Sequence, residues 1–597
     1  MRNEKNIRNF ADKLTIYTLR GYSFTKMTTT HPPRHICLAA ALLCILLCQV
    51  PRLHAQDHHA SLWETSTTPK REVRAVWLTT IGGLDWPHSY ARNSQSIARQ
   101  QSELRLLLDQ YQKAGINTIL LQTRIRGTMI YPSAYEPWDG CLSGVPGSHP
   151  GYDALAFAID ECHRRGMELH AWVVTIPVGK WNAPGCKSLR QKYPNLIRKI
   201  GPDGYMNPEM PQTARYLADL CDEITRNYDI DGIHLDYIRY PETWNIGVSR
   251  DQARSYITGI VREIHRKVKA QKPWVKLSCS PIGKFDDLSR YRSHGWNAYT
   301  KVAQDAQGWL RDGLMDALFP MMYFRNDQFF PFAIDWAERS YGKMVVPGLG
   351  IYFLSPREAN WDLGDITREM QVLRQYKLGH AYFRGKFFTD NTKGIYTFAK
   401  NEFDRFPALV PAMTWQHDTP PLAPTRLYTD PQTHTLNWSG ARDLSNAPYL
   451  LYNVYTSRTY PVDVADARNL IAMRLRQPRF KTEPNRYYAV TAMDRYGNES
   501  PAIQQEGPQT EGKNVPTQLL ECDNITLSLP KKSPQLDAEY LIIENMQGKM
   551  VASRAYNSDR INVRTLDNGM YVIRSVNRKG ITHRIGMFMI RKDTQSH

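Results

Sequence analysis

The sequence predicts an α/β fold: a (β/α)8 TIM barrel, followed by a fibronectin type III-like β-sandwich and a small C-terminal β-sandwich domain. Three observations predict it. Between Arg74 and Phe388, short apolar runs alternate with amphipathic helical patterns, as parallel strands with right-handed helical crossovers require. The stiff segment DTPPLAP (418–424) ends that texture. Beyond it the hydrophobic period drops to two, with turn residues between short runs.

The strand candidates, in order, are RAVWLTT (74–80), INTILLQTR (116–124), MELHAWVV (167–174), IDGIHLDY (230–237), VKLSCSP (275–281), ALFPMMYF (317–324), MVVPGLG (344–350) and HAYFRG (380–385). Helical faces lie between them. Leu104, Leu107, Leu108 and Tyr111 share one face that ends at Gly115; Leu155, Ala158, Ile159 and Cys162 share another that ends at Gly166. Ala214, Leu217, Leu220, Cys221 and Ile224 precede the fourth strand, and Ile257, Ile260, Val261, Ile264 and Val268 the fifth. Eight such units within 70–406 suit a barrel with insertions. A doubly wound open sheet is the alternative, but no GxGxxG or phosphate loop opens a helix here.

After the linker, RLYTD, HTLNWS, YLLYNVYTS and NRYYAVTAMDRYGNES read as strands of a fibronectin type III-like domain over 420–508. A further β domain is expected over 517–597. Its QGKMV and LDNGMYVIR motifs resemble C-terminal sorting domains of the Bacteroidetes type IX secretion system, so secretion machinery is an expected partner.

Residues 1–55 read as a secretory signal peptide: ICLAAALLCILLCQV (36–50) follows basic residues and precedes LHAQ, with cleavage after Ala55 and Met27 as an alternative start. The expected location is therefore exported: periplasm, outer surface or extracellular. No transmembrane span is expected after cleavage, because 15 residues is short for one. Removing this segment lowers the net charge from +18 to +12. That charge would favour anionic surroundings, but a generally basic solvated surface is the simpler reading, and no basic run marks a nucleic-acid site. Six cysteines follow the signal region without a CxxC pair, which argues against a zinc site. Cys162 and Cys221 fall on apolar helix faces, where buried thiols are expected.

A (β/α)8 barrel does its chemistry at the carboxyl ends of its strands, and strand parity says which side chains point there. In IDGIHLDY, Gly232, His234 and Asp236 point inward, while Ile233, Leu235 and Tyr237 face the helices. In MELHAWVV, Glu168, His170 and Trp172 point inward; in INTILLQTR, Leu120, Gln122 and Arg124 do. A carboxylate at the end of a central strand has few structural duties, so Asp236 is the expected catalytic group. Aromatic residues after the strand ends (Trp86, Tyr131, Tyr135, Trp138, Trp181, Trp244, Tyr323 and Phe324) suit a sugar-binding cleft. No GxSxG elbow and no HExxH pattern is present, so no metal and no cofactor is expected.

REVRAVWLTT, the YPSAYEPWDGCLSG…PGYDALAFAIDECHRRGMELHAW block and DIDGIHLDYIRYP, in that order, resemble the glycosyl hydrolase-like 10 family over roughly 70–400. The resemblance implies an exported (β/α)8 glycoside hydrolase, and for some relatives action on cell-wall glycan strands. His170 and Trp172 match the family's HAW motif; Asp231, His234 and Asp236 its DGIHxD motif; Tyr323 its sixth-strand motif. Two departures stand out. VVTIPVGK follows HAW where many members have Asn-Pro, and Tyr237 takes the place of a second consecutive acid.

Glycoside hydrolysis generally needs two carboxyl groups. Asp236 is expected as nucleophile or electrostatic stabiliser, with Glu136 or Glu242 as proton donor. Gln122, Arg124, Trp138, His170, Trp172, His234, Arg239 and Tyr323 are expected to bind substrate. The expected substrate is a polysaccharide or peptidoglycan glycan strand. The rival expectations are a catalytically inactive glycan-binding envelope protein and a metal-dependent deacetylase or amidase.

Overall fold

The computed structural model describes residues 68–505 except 292 and 294, and 519–592 except 530–537, 547 and 578–581. The expected signal peptide lies outside the described residues, as does part of the QGKMV motif.

The barrel strands are β1 (Arg74–Leu78), β2 (Thr118–Arg124), β3 (Glu168–Val174), β4 (Gly232–Asp236), β5 (Lys276–Cys279), β6 (Ala317–Leu318 and Met321–Met322), β7 (Met344–Val345 and Gly348–Leu349) and β8 (His380–Tyr382). Every pairing among them is parallel. β6 and β7 are each interrupted at a proline, Pro320 and Pro347, which have no N–H to give to a ladder. Their carbonyls still accept, from Gly348 N–H at 2.7 Å and Ala381 N–H at 3.0 Å. The ladder therefore runs from β1 through β8, and β8 returns to β1 with Arg74 opposite His380. That closes the barrel.

The main crossover helices are α1 (Ser94–Lys113), α2 (Ala154–Arg164), α3 (Pro211–Asn227), α4 (Arg250–Gln271), α5 (Ala306–Arg311), α6 (Phe330–Glu338) and α7 (Leu363–Gln375). The faces expected from spacing are the buried ones, and Cys162 and Cys221 are buried free thiols within them. None of these helices is long and apolar enough to cross a membrane.

Two apolar layers result. Ile119, Leu121, Leu169, Ala171, Ile233 and Leu235 pack outward under the helices. Trp77, Leu120, Trp172, Phe319 and Ala381 fill the inside. A small antiparallel sheet (Pro177–Lys180, Ile197–Ile200, Asp203–Met206) and the helix Pro184–Lys192 stand between β3 and α3, on the carboxyl side.

Residues 426–504 form two antiparallel sheets, of three and four strands, with Leu436, Trp438, Val454, Tyr488 and Val490 between them. This sandwich sits against the amino-terminal face of the barrel. Arg474 reaches Glu168 at 2.9 Å and also pairs with Asp231; Arg495 reaches Asp229 at 2.7 Å. The approach is close: a Cβ on Gly166 would lie 2.6 Å from the Met473 carbonyl oxygen. A further four-stranded antiparallel sheet carries Ala538–Asn545, Met550–Ala555, Gly569–Asn577 and Thr582–Ile590.

Candidate active site

The inside of the barrel is a polar column capped by a carboxylate. At its floor Glu168 meets Lys276 at 2.9 Å and Arg474. Burial would raise its pKa, but Lys276 and Arg474 outweigh that and bring it to about 2. One level up, His170 sends its Nε2 to Glu168 at 3.2 Å and lies flat on Gly232, where a Cβ would sit 2.5 Å from His170 Nδ1. Only glycine leaves room for that ring. Next comes His234. Trp77 Nε1 donates to His234 Nε2 at 3.2 Å, so the proton lies on Nδ1, which donates to Ser278 Oγ at 3.0 Å. Burial, and then His170, push the His234 pKa well down, so this ring stays neutral.

Asp236 tops the column. The β3–β4 register sets Trp172 beside His234 and Val174 beside Asp236. Trp172 Nε1 donates to Asp236 Oδ2 at 3.1 Å, while Ser280 Oγ and the Tyr237 N–H each donate to Oδ1 at 2.8 Å. Tyr237 takes a left-handed conformation (φ 53°), which lets its N–H turn back to that oxygen. Asp236 is only 8% exposed. Burial raises its pKa, against the pull of the Ser280 bond, Arg239 and the other donors. Trp172 and Tyr237 offer N–H groups that can only donate, so they fit the ionised form. The result is a buried, unusually basic carboxylate at the mouth of the barrel.

Arg239 links Asp236 to the loop beyond. It stacks on Tyr237, 4.3 Å from the ring centre, and donates to Glu242 at 2.7 Å. The Glu242 side chain is 45% exposed. Burial would raise its pKa, but the Arg239 charge and hydrogen bond lower it. Tyr323 stacks on Phe383 at 5.2 Å and meets Tyr352 edge-on at 5.8 Å. Burial, then Tyr352 and Asp236, push its phenol well up. These rings form an apolar wall beside the carboxylate. Gln122 accepts from the N–H groups of Thr80 and Ile81 and so braces the loop after β1.

The structure thus brings together Asp236, Trp172, Arg239, Glu242 and Tyr323, with Gln122 as a support. His234 and His170 lie deeper in the column, below the mouth. Arg124 departs from its expected inward direction. A bulge between Gln122 and Arg124 adds a residue and reverses the parity. Arg124 therefore points outward, fully buried, and grips Glu136 at 2.6 Å. Glu136 also accepts from Tyr216 and is equally sealed from solvent. A sealed carboxylate held by a guanidinium cannot reach a substrate, so Glu136 is not placed to donate a proton. Trp138 packs on His149 at 4.9 Å and against the core layer under the helices. Trp86 and Tyr131 are core residues, bonded to the Gln100 carbonyl and to Glu223.

Sequence reasoning missed Ser280, Ser278, Phe383 and Tyr352. Ser278 and Ser280 share the inward parity of Lys276 in VKLSCSP, and Phe383 that of Ala381, so alternation marked three of the four. Among the described residues, the cluster whose side chains could converge on a metal is Glu72, His380 and Asp404, at the opposite end of the barrel. Arg74 and Arg374 already pair with both carboxylates there, at 2.6–3.1 Å. The positive charge is supplied by the chain itself.

Residues 72–256 and 248–353 match the model of the family described as Glycosyl hydrolase-like 10. Glycosyl hydrolase YngK of Bacillus subtilis strain 168 is 28% identical over 482 residues, 72% of this chain and 92% of that protein. Glycosyl hydrolase DigH of Escherichia coli K12 is 28% identical over 342 residues, 51% of this chain and 77% of that one. Among solved structures, α-L-fucosidase isoenzyme 2 from Paenibacillus thiaminolyticus is similar with a TM-score of 0.37 and 14% identity, over 56% of this chain and 49% of that one. The barrel with Asp236 at its mouth is the part that the family model covers from β1 to β7, and over residues 72–353 the chain matches the glycosyl hydrolase-like 10 family.

Proposed function

We propose that this protein is an exported glycoside hydrolase that cleaves a polysaccharide, with the glycan strands of peptidoglycan as the first substrate to try. The match of residues 72–353 to a glycosyl hydrolase-like family supports a glycan-cleaving function. The observation that carries the chemistry is Asp236: a buried, raised-pKa carboxylate held by three donors at the end of β4. It acts as nucleophile, or as the anion that stabilises an oxocarbenium-like transition state. Trp172 is buried and serves to hold Asp236, while the half-buried Tyr323–Phe383 wall offers apolar surface to the C–H face of a sugar.

Glu242 is the second carboxyl group. It shares Arg239 with Asp236, is open to solvent, and stands on the loop directly after β4. In the free protein Arg239 holds it ionised, the form that activates water. Proton donation requires that this pair loosen when a sugar enters. The apolar run at 36–50 supports export, and the three-plus-four strand arrangement supports the fibronectin type III-like reading of the sandwich.

The test of the pair is Glu242→Gln. With a natural glycan the variant should lose about 10²–10⁴-fold in rate. An aryl glycoside with a good leaving group, or added azide, should restore much of it. Equal loss on both substrates, with no azide rescue, would make Glu242 only an anchor for Arg239.

A further inference from the structure

The small sheet and helix between β3 and α3 form a strongly cationic excursion beside the mouth. From Pro177 to Met206 it carries Lys180, Lys187, Arg190, Lys192, Arg198 and Lys199 against a single acid, Asp203. It is anchored next to Asp236. Thr175, one residue past β3, donates both N–H and Oγ to the Asp236 carbonyl, and Met206 N–H bonds Ile176 at 2.8 Å. Its helix packs closely on its sheet: a Cβ on Gly204 would lie 2.5 Å from Cys186 Sγ. The excursion touches the loop that bears Glu242. Arg198 lies over Trp244, 4.8 Å from the ring centre, and the Tyr205 phenol stands close to Thr243 and Glu242.

Half of these charges have local duties. Lys180 pairs with Asp203 at 2.9 Å, Lys192 donates to the Tyr135 carbonyl, and Arg190 lies 3.9 Å from the Trp181 ring centre and donates to its carbonyl. Lys187, Arg198 and Lys199 are exposed and have no carboxylate partner among the described residues. Arg198 sits against Trp244 and Lys199 against Trp181, at 5.6 Å. Uncompensated cations at the edge of a cleft raise its potential and draw anions. A cation paired with an aromatic face matches a sugar that presents C–H groups and a carboxylate together.

We infer that this excursion is a binding platform for carboxylate groups of an acidic polysaccharide, so that the substrate class is a carboxylated glycan rather than a neutral one. Arg198 and Lys199 are its specificity determinants; neither touches the reacting atoms. The inference rests on the glycosidase reading for its biological sense, but binding tests it without cleavage.

The experiment uses the full chain and the exposed double variant Arg198→Gln/Lys199→Gln, with a melting curve to confirm that the variant is folded. The probes are polygalacturonate and the same polymer with its carboxyl groups reduced to alcohols, in affinity electrophoresis at low and high salt. The wild type should bind polygalacturonate about tenfold tighter than the reduced polymer, and salt should erase the difference. The double variant should lose the preference while binding the reduced polymer as before. Absence of a preference in the wild type, including binding to neither polymer, would overturn the proposal. So would a variant that retains the preference, or tighter binding of wild type to phosphatidylglycerol vesicles or single-stranded DNA. Failure to cleave any glycan would count against the glycosidase reading alone.

Discussion

Asp236 carries a cost that its surroundings do not remove. Its three hydrogen bonds and the nearby Arg239 favour the anion, yet burial still raises its pKa. A carboxyl group whose folded pKa lies above its unfolded value helps the folded state while protonated, and weakens it once pH rises through the folded pKa. Asp236→Asn removes that penalty. The variant should be at least as resistant to urea as wild type at pH 7. As pH falls through the Asp236 pKa, wild type should gain on it, because proton uptake relieves the buried charge. A wild-type advantage that instead shrinks toward acid would mean that the anion is net stabilised in the fold. Asp236 was legible in the sequence because an acid ending an apolar strand stands out. Its donors were less so: Ser280 is an ordinary residue, and the Tyr237 N–H is backbone, set by a left-handed conformation that composition does not announce.

At the scale of elements, alternation read β3 correctly and β4 as far as Asp236; Tyr237, expected to face the helices, turns left-handed and packs against the inner cluster instead, and β2 failed at Arg124. Parity holds only while the strand stays regular, and the bulge between Gln122 and Arg124 breaks it. Arg124 consequently joins the helical layer, where it clasps Glu136 and donates to the Val174 and Thr175 carbonyls. This pair fixes the end of β3, and through it the start of the cationic excursion. Removing one partner of a buried pair leaves the other charge stranded. Glu136→Ala should therefore cost about 3–5 kcal/mol in denaturant unfolding. At a temperature where it remains folded, its kcat should stay within a few-fold of wild type. A loss of kcat as deep as that of Asp236→Asn would return Glu136 to the chemistry. Both the interruption of β6 and β7 at Pro320 and Pro347 and the closure of the barrel across them follow from local chemistry: a proline loses its donor but keeps its acceptor.

Across the whole molecule, the boundary between barrel and sandwich was visible as DTPPLAP, but their dependence on one another was not. Glu168, Asp229 and Asp231 are far apart in sequence from Arg474 and Arg495, and no periodicity ties them. Together they seal the barrel floor, joined by Tyr496, Met413 and Val410 against the inner core. Asp231 is held well below the usual carboxylate range: burial opposes ionisation, but Arg474 and His163 outweigh it. Depressed pKa values here and at Glu168 contribute stability that is full above about pH 5 and is lost as pH falls toward 2. Arg474→Ala should lower stability by about 3–5 kcal/mol at pH 7 and flatten this acid dependence. An unchanged acid profile would show that Lys276, His163 and Arg495 suffice without it.

The proposed role of Asp236 is what separates an enzyme from a glycan-binding surface. Reducing-sugar release from peptide-free peptidoglycan strands and from a panel of acidic and neutral polysaccharides, by wild type and Asp236→Asn side by side, tests it most directly. Wild type should release sugar from at least one glycan, and a variant that still binds that glycan should release at least about 10³-fold less. Equal release by both proteins, or binding by both with release by neither, would contradict it.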